Sequence, residues 1–193
     1  LKIIAQVGVG YDNISIKSAE EKKIKVTNTP NVLNEAVAET TILLILAASR
    51  RIGEAYNLVR TDDWKNQKPD LTKFMIGNSV TGKTLGIIGL GAIGSLVAQA
   101  AEVLGMKIIG FDPHISIDAA WRLPKDVEKA DSLDYVLANS DYITLHVPLV
   151  EATKNLISKN SLKTIKTGAK IINLSRGGIV NSDDVIEALK EGK

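Results

Sequence analysis

The sequence predicts an α/β protein: a doubly wound parallel sheet, preceded by part of a smaller parallel α/β unit. Three observations carry this reading. Short apolar runs alternate with helix-length segments along the chain, the pattern of strand–helix–strand units. One run, Thr84-Leu85-Gly86-Ile87-Ile88, leads straight into Gly89-Leu90-Gly91-Ala92-Ile93-Gly94 and then into a helix-like stretch from Ser95 to Leu104. The next run, Lys107 to Phe111, ends on Asp112. A glycine triplet by itself is a weak signal. Between a strand and a helix it acquires physical meaning: Gly89 permits the turn, Gly91 lets backbone approach a pyrophosphate, and Gly94 lets helix pack closely on strand. The helix N-terminus then offers unpaired N–H groups and partial positive charge to phosphate. This is the fingerprint of a Rossmann-type dinucleotide-binding unit.

Asp112 stands where an acidic residue reaches the adenosine ribose hydroxyls. A carboxylate accepts hydrogen bonds from those hydroxyls and repels a 2′-phosphate. No Lys or Arg directly follows it to neutralise such a phosphate, so NAD is expected rather than NADP. The competing role for Asp112 is to cap the turn before Pro113.

Composition limits the alternatives. The chain has 193 residues, 45% apolar and 24% charged, with a net charge of +2, ordinary for a soluble globular protein. Acids and bases are mixed along it, so neither nucleic acid nor membrane is an expected partner, and a cytoplasmic location is expected. There is no cysteine, which removes disulfides, thiol nucleophiles and Cys-ligated zinc. The most apolar stretch, Ile42 to Ala48, is far too short to span a bilayer. No His or acid cluster suggests a metal, and no Ser lies in a GxSxG elbow. Leu1 is not an initiator methionine, and only about four strand candidates follow Gly89, one of them a weak run at Asp126 to Ala130. The chain is therefore expected to be a fragment of a longer subunit.

The elements follow in order. Leu1 to Val7 reads as a strand, turning at Gly8-Val9-Gly10. Ile16 to Lys23 reads as a helix and Ile24 to Thr27 as a second strand, running into Asn28-Thr29-Pro30. Asn31 or Asn34 is placed to cap the next helix, a long one from Glu35 to about Arg60. Its middle, apolar on nearly every side, is expected to be buried, between domains or subunits. Thr61 to Gly77, with Trp64 and Pro69, reads as a connecting loop. After Asp112, Pro113 to Lys125 is irregular and Leu133 to Ala138 helical. Asp141 to Val147 is a strand ending at Pro148, and Ser158 to Ile165 is helical. Ala169 to Leu174 is a strand running into Ser175-Arg176-Gly177-Gly178. Asp183 to Glu191 closes the chain as a helix capped by Ser182.

Ligands of open parallel sheets sit at the carboxyl ends of the strands. That rule gathers Gly89 to Gly94, Asp112, His146 to Pro148 and Leu174 to Arg176 on one rim. Arg176 stands just past a strand, before two glycines that admit a ligand. Its guanidinium suits a carboxylate or ketone oxygen, gripped by two parallel hydrogen bonds. Position alone leaves this role and a loop-anchoring salt bridge equally open. His146 reads as a packed histidine beside a cofactor rather than a base, and His114 as a surface residue. The turn at Gly8-Val9-Gly10 has bare N–H groups that form a small anion nest.

Taken together, Gly8 to Ile14, Asn28-Thr29-Pro30, Val37-Ala38-Glu39, Gly82 to Gly89, Phe111-Asp112-Pro113, His146 to Leu149 and Asn173 to Gly178 resemble the D-2-hydroxyacid dehydrogenase family along nearly the whole chain. Gly8 to Ile14 looks like the glyoxylate and hydroxypyruvate reductases, Asp112 to Leu149 more like 3-phosphoglycerate dehydrogenase. The resemblance implies hydride transfer between NAD and a small D-2-hydroxy acid or its 2-keto partner. It implies that residues 1–31 are the remnant of a flavodoxin-like substrate domain and 32–193 an incomplete NAD-binding domain. Arg176 would be the catalytic arginine, binding substrate carboxylate and carbonyl. Backbone at Val9 and Gly10 would meet the substrate. Ala92 and Ile93 would lie against the pyrophosphate, Val147 and Pro148 would line the cofactor groove, and Leu174 and Ser175 would border the nicotinamide. The long helix would make a homodimer. The alternative within the same fold is a non-catalytic, NAD(H)-binding, corepressor-like dimer. Ala92 departs from the family, which commonly has Arg there to hold pyrophosphate. The family's acid/base His and its orienting Glu follow the Arg strand at positions beyond Lys193, so these 193 residues alone are expected to be inactive.

Overall fold

The computed structural model describes residues 1–65 and 76–193. The chain opens with a small parallel unit: β1 (Ile3–Ala5), α1 (Ile16–Glu21) and β2 (Lys25–Thr27), with Ile3 opposite Lys25. Ser15 caps α1 through its hydroxyl, which accepts from Ser18 N–H at 3.3 Å. The two strands form their own sheet, separate from the main one.

α2 (Asn34–Arg50) follows, and it does not run on to Arg60 as expected. It stops at Arg51, whose φ of 56° is left-handed, and α3 (Ile52–Val59) restarts in a new direction. The cause is tertiary. Ser49 O, which a continuing helix would pair with the N–H of Gly53, accepts the N–H of Asn78 at 2.9 Å, while Ser49 Oγ donates to Asn78 O at 2.9 Å. A Cβ on Gly77 would lie 2.5 Å from the Arg50 Cα, so the returning chain lies flat against the helix end. Neither Asn31 nor Asn34 caps α2. Leu33 is the N-cap, without a side-chain bond, and Asn34 donates to Asn31 across the preceding turn. Thr61 to Gly77 is not all loop, because α4 (Asp62–Lys65) forms a helical turn. Residues 66–75, which include Pro69, lie outside the described residues.

The main sheet comprises β3 (Thr84–Ile88), β4 (Lys107–Phe111), β5 (Glu128–Lys129), β6 (Tyr142–Leu145) and β7 (Lys170–Asn173), all parallel in the order β5-β4-β3-β6-β7. Every strand expected after Gly89 is present, including the weak one. Between them lie α5 (Ala92–Val103), α6 (Ile117–Ala120), α7 (Leu133–Asn139) and α8 (Lys159–Thr164), with α9 (Ser182–Lys190) last. α6 interrupts the stretch expected to be irregular, with Ser116 Oγ accepting from Ala119 N–H. The cap of α9 is Asn181 rather than Ser182: its side chain accepts from both Asp183 and Asp184.

Alternation along β3 divides the core. Leu85 and Ile87, both fully buried, face α5 and α2 through Val97, Ala98, Ala101 and Ile45. Ile88 joins Ile143, Leu145, Val136 and Leu137 on the opposite face. Burial of each large aliphatic side chain contributes about 2 kcal/mol. Gly86 points at α7, where a Cβ would meet Ser140 Oγ at 2.3 Å and Val136 Cγ1 at 2.5 Å, so only glycine lets α7 pack this close. α2 buries Ala38, Thr41, Ile45 and Ser49, but Leu43 is 62% exposed. Among the described residues, then, one face of the long helix is covered and Leu43 lies on the other. Tyr142 ties α2 to the sheet: Ser49 Oγ already donates to Asn78 O, so the buried Tyr142 hydroxyl donates to Ser49 Oγ at 2.6 Å. Order reversal between β3 and β6 opens the crevice where such sheets take ligands.

Candidate functional site

The glycine loop fills the turn from β3 to α5. Gly89 has φ +94°, and a Cβ there would lie 2.6 Å from His146 O, so β3 and the end of β6 meet with no room for a side chain. Gly94 is the tightest point: its Cβ would lie 2.1 Å from Gly89 O. Gly91 is the opposite. It is the N-cap of α5, and a Cβ there would meet nothing within 4 Å. The loop is therefore packed tightly underneath at Gly89 and Gly94 and open above at Gly91. The intrahelical bonding of α5 begins with Ser95 N–H to Gly91 O, so the N–H groups of Ala92, Ile93 and Gly94 precede the ladder. Ile93 turns its side chain into the core and leaves its backbone for a ligand. This open cradle fits a pyrophosphate.

Asp112 sits over the same loop. Its Oδ2 accepts Leu90 N–H at 2.9 Å and its Oδ1 accepts His114 N–H at 2.9 Å. The carboxylate thus caps its own turn and is also tied to the glycine loop. Each oxygen keeps a further lone pair for a hydroxyl donor. His114 is exposed.

His146 is largely packed just past the end of β6. Its Nε2 lies 3.0 Å from Thr144 Oγ1, and burial lowers its pKa from the usual 6.5 to about 4. An unfolded chain takes up that proton near pH 6.5; the folded chain resists until about pH 4. The unfolded state therefore binds more protons in between, and stability falls as pH drops through this window. The loss attributable to this side chain is about 2 kcal/mol between pH 7 and pH 5. In urea unfolding at those two pH values, the His146→Asn variant is expected to lose about that much less than the parent. Equal losses would mean that His146 carries its proton in the fold.

Arg176 opens the turn after β7. Asn173, at the end of that strand, clamps it: its Nδ2 donates to Arg176 O at 2.8 Å, and its Oδ1 accepts Ser175 N–H at 3.0 Å and Ser175 Oγ at 2.9 Å. Ser175 Oγ also lies 3.0 Å from Leu145 O, linking β7 to the end of β6. Leu174 and Ser175 are half-buried in this corner, while Pro148 is exposed on the rim and Val147 packs against the core. The guanidinium reaches across to the small unit. Its Nε and Nη2 donate to Asp12 Oδ1 at 3.0 and 2.9 Å, and its Nη1 donates to Ser175 O at 3.0 Å. It lies directly on Gly10, where a Cβ would come within 1.6 Å of Nη2. The hydrogen bond from Arg176 is the largest cause holding the Asp12 carboxyl below its usual pKa.

The loop carrying Val9 and Gly10 is itself held. Thr29 brackets Gly8, accepting its N–H on Oγ1 at 2.9 Å and donating N–H to Gly8 O at 3.0 Å. Asn28 Nδ2 donates to Val9 O at 2.9 Å. The predicted substrate-side residues and the predicted arginine are thus neighbours in space, on elements more than 160 residues apart. Sequence reading did not single out Asp12, Asn28, Thr29 or Asn173 individually. The available signal was modest: polar residues at the carboxyl ends of strands or beside a glycine turn, able to bond nearby backbone.

Residues 42–193 match the model of the D-isomer specific 2-hydroxyacid dehydrogenase NAD binding domain. The chain is 44% identical to the glyoxylate reductase of Thermococcus litoralis, covering all of this chain and 57% of that protein. It is 42% identical to the D-3-phosphoglycerate dehydrogenase of Methanocaldococcus jannaschii, covering 100% of this chain and 35% of that one. The solved structure of a D-lactate dehydrogenase from Aquifex aeolicus, complexed with NAD and lactic acid, superposes with a TM-score of 0.84 at 33% identity, covering 100% of this chain and 55% of that one. The chain thus spans little more than half of the reductase and of the solved dehydrogenase, and about a third of the phosphoglycerate enzyme.

Proposed function

The chain belongs to the D-isomer specific 2-hydroxyacid dehydrogenase family through its NAD-binding domain, and on that premise we propose that the whole protein interconverts a small D-2-hydroxy acid and its 2-keto acid, of the glyoxylate, hydroxypyruvate or phosphohydroxypyruvate class. The observation that carries the proposal is the seat of Arg176. A guanidinium from the nucleotide rim rests against Gly10 of the neighbouring unit, where backbone of Val9 and Gly10 and the arginine surround one small anion-binding corner. The chemistry that NAD(H) would supply when bound beside this corner is hydride transfer at C2.

The chain's own residues do the rest. The N–H groups of Ala92, Ile93 and Gly94, opened by Gly91, hold the pyrophosphate, and Gly89 lets the loop turn. Asp112 receives ribose hydroxyls. His146, Val147 and Pro148 form the groove wall, and Leu174 and Ser175 border the nicotinamide. Arg176 holds the substrate carboxylate and stabilises the charge that grows on the C2 oxygen during reduction. That oxygen also needs a proton, and neither group bonded to the guanidinium, Asp12 and Ser175 O, carries one at neutral pH. The proton donor is therefore a further residue.

The two separate sheets support a division at about residue 31, with 1–31 on the substrate side and 32–193 forming the NAD-binding domain. Leu43, Leu44, Ile52, Tyr56 and Val59 expose apolar surface along α2 and α3, which supports a homodimer through this face. Among the described residues no helix is long and apolar enough to cross a membrane.

The test has two parts. The 193-residue chain should bind NADH, by fluorescence titration, with negligible turnover. Asp112→Ala should weaken NADH about tenfold, in line with the loss of charge-assisted hydrogen bonds, and narrow the margin over NADPH. An unchanged ratio of the two affinities would remove Asp112 from the ribose. The natural protein containing this chain should reduce hydroxypyruvate, glyoxylate or phosphohydroxypyruvate. NADH binding without reduction of any of them would favour the corepressor-like reading instead.

A further inference from the structure

Arginine has five N–H donors: one on Nε and two on each Nη. In Arg176, Asp12 Oδ1 takes one from Nε and one from Nη2, and Ser175 O takes one from Nη1. What remains is one N–H on each Nη. We propose that Asp12 is a positioning residue that fixes Arg176 end-on to the substrate, so that these two remaining N–H groups, and no others, are left for the carboxylate and C2 oxygens of the 2-keto acid.

Three features support this assignment. Asp12 approaches from the side of the guanidinium where Nε and Nη2 form a fork, the face that would otherwise compete for the substrate with the end-on face. A single oxygen of Asp12 serves both donors, which holds the guanidinium against rotation about its own axis. The arrangement also has no slack, because the ideal Cβ position on Gly10 lies 1.6 Å from Nη2, 2.9 Å from Cζ and 3.0 Å from Asp12 Oδ1. Glycine at position 10 and the carboxylate at position 12 therefore act as one device: the first leaves the space in which the guanidinium lies, and the second fixes its angle. The ion pair is half-exposed, with side-chain exposures of 39% for Arg176 and 63% for Asp12. Its contribution to stability is accordingly small, so holding the arginine's orientation is the more consequential role.

The role rests on geometry and not on charge, and this makes it testable. Asparagine keeps an oxygen at Oδ1 to accept from Nε and Nη2, while alanine leaves the guanidinium free to rotate. The proposal depends on the reading of the site given above, and the experiment separates the two. In the natural protein, steady-state reduction of hydroxypyruvate, glyoxylate and phosphohydroxypyruvate is measured for the parent, Asp12→Asn and Asp12→Ala, together with the NADH dissociation constant. The Nε–H signal of Arg176 is followed by NMR in the natural protein. Asp12→Ala should lower kcat/KM for the keto acid at least tenfold, leave NADH affinity within twofold and lose the Nε–H signal. Asp12→Asn should keep that signal and restore kcat/KM to within threefold of the parent. An active parent with an unchanged Asp12→Ala variant, or an Asp12→Asn variant as impaired as Asp12→Ala, would overturn the positioning role alone. A parent inactive on all three acids would overturn the reading of the site and the role with it.

Discussion

Replacing Arg176 in the natural protein should lower kcat/KM for the 2-keto acid by about 1,000-fold for Arg176→Ala and about 100-fold for Arg176→Lys, with NADH affinity nearly unchanged. The magnitudes follow from what the guanidinium supplies. A bidentate, charge-assisted pair with a carboxylate, desolvated as the substrate closes over it, contributes several kcal/mol, and about 1.4 kcal/mol corresponds to a factor of ten. Lysine keeps the charge but not the fork, and its ammonium cannot satisfy Asp12, Ser175 O and substrate in the directions that Arg176 does. Gly10→Ala supplies a matched control from the other side of the contact. The added methyl would fall 1.6 Å from Nη2, so the arginine must move although it is still present. Its kcat/KM should drop about as far as in Arg176→Lys. Steady-state kinetics with separate titration of NADH decide the matter. If Arg176→Lys retained near-parent kcat/KM, substrate would not be read by the paired N–H groups of the guanidinium.

The second large effect concerns folding and cofactor together. Gly94→Ala should destabilise the chain by about 3 kcal/mol and weaken NADH at least ~100-fold. The new Cβ would stand 2.1 Å from Gly89 O and 3.1 Å from Gly89 C. Both are backbone atoms of the loop itself, so no side chain can swing aside, and α5 must back away from β3. That withdrawal drags the N–H groups of Ala92 and Ile93 off the pyrophosphate position. Gly91→Ala separates binding from folding. Its Cβ meets no atom within 4 Å, so urea unfolding should change by less than about 0.5 kcal/mol. Yet the methyl enters the open cradle and should still weaken NADH. A Gly91→Ala variant with parental NADH affinity would show that the cradle is not where the cofactor lies.

The sequence alone determined the main architecture. Strand-length apolar runs, each followed by a turn and a helix, admit only a handful of chain paths, because parallel strands need crossovers and crossovers are right-handed. The rule for ligands of open parallel sheets puts Gly89, Asp112, His146 and Arg176 on one rim. What it left open at Arg176, between ligand-binding and anchoring roles, was left open for a physical reason. The partners of a side chain at a strand end come from other segments, and here the decisive ones, Gly10 and Asp12, are more than 160 residues away. The same limit explains the break in the long helix. Residues 35 to 60 have a helical pattern throughout, but the carbonyl of Ser49 is taken by Asn78, a contact that exists only once the chain has returned. It also explains Asp112, whose residue type indicated a ligand or a cap. The fold makes it a cap and a tie to the glycine loop together, through Leu90 and His114. Local pattern decides which segments become strands and helices, since it depends on periodic burial. Tertiary structure decides where elements end and which groups meet, since those outcomes depend on hydrogen-bond partners that sequence distance conceals.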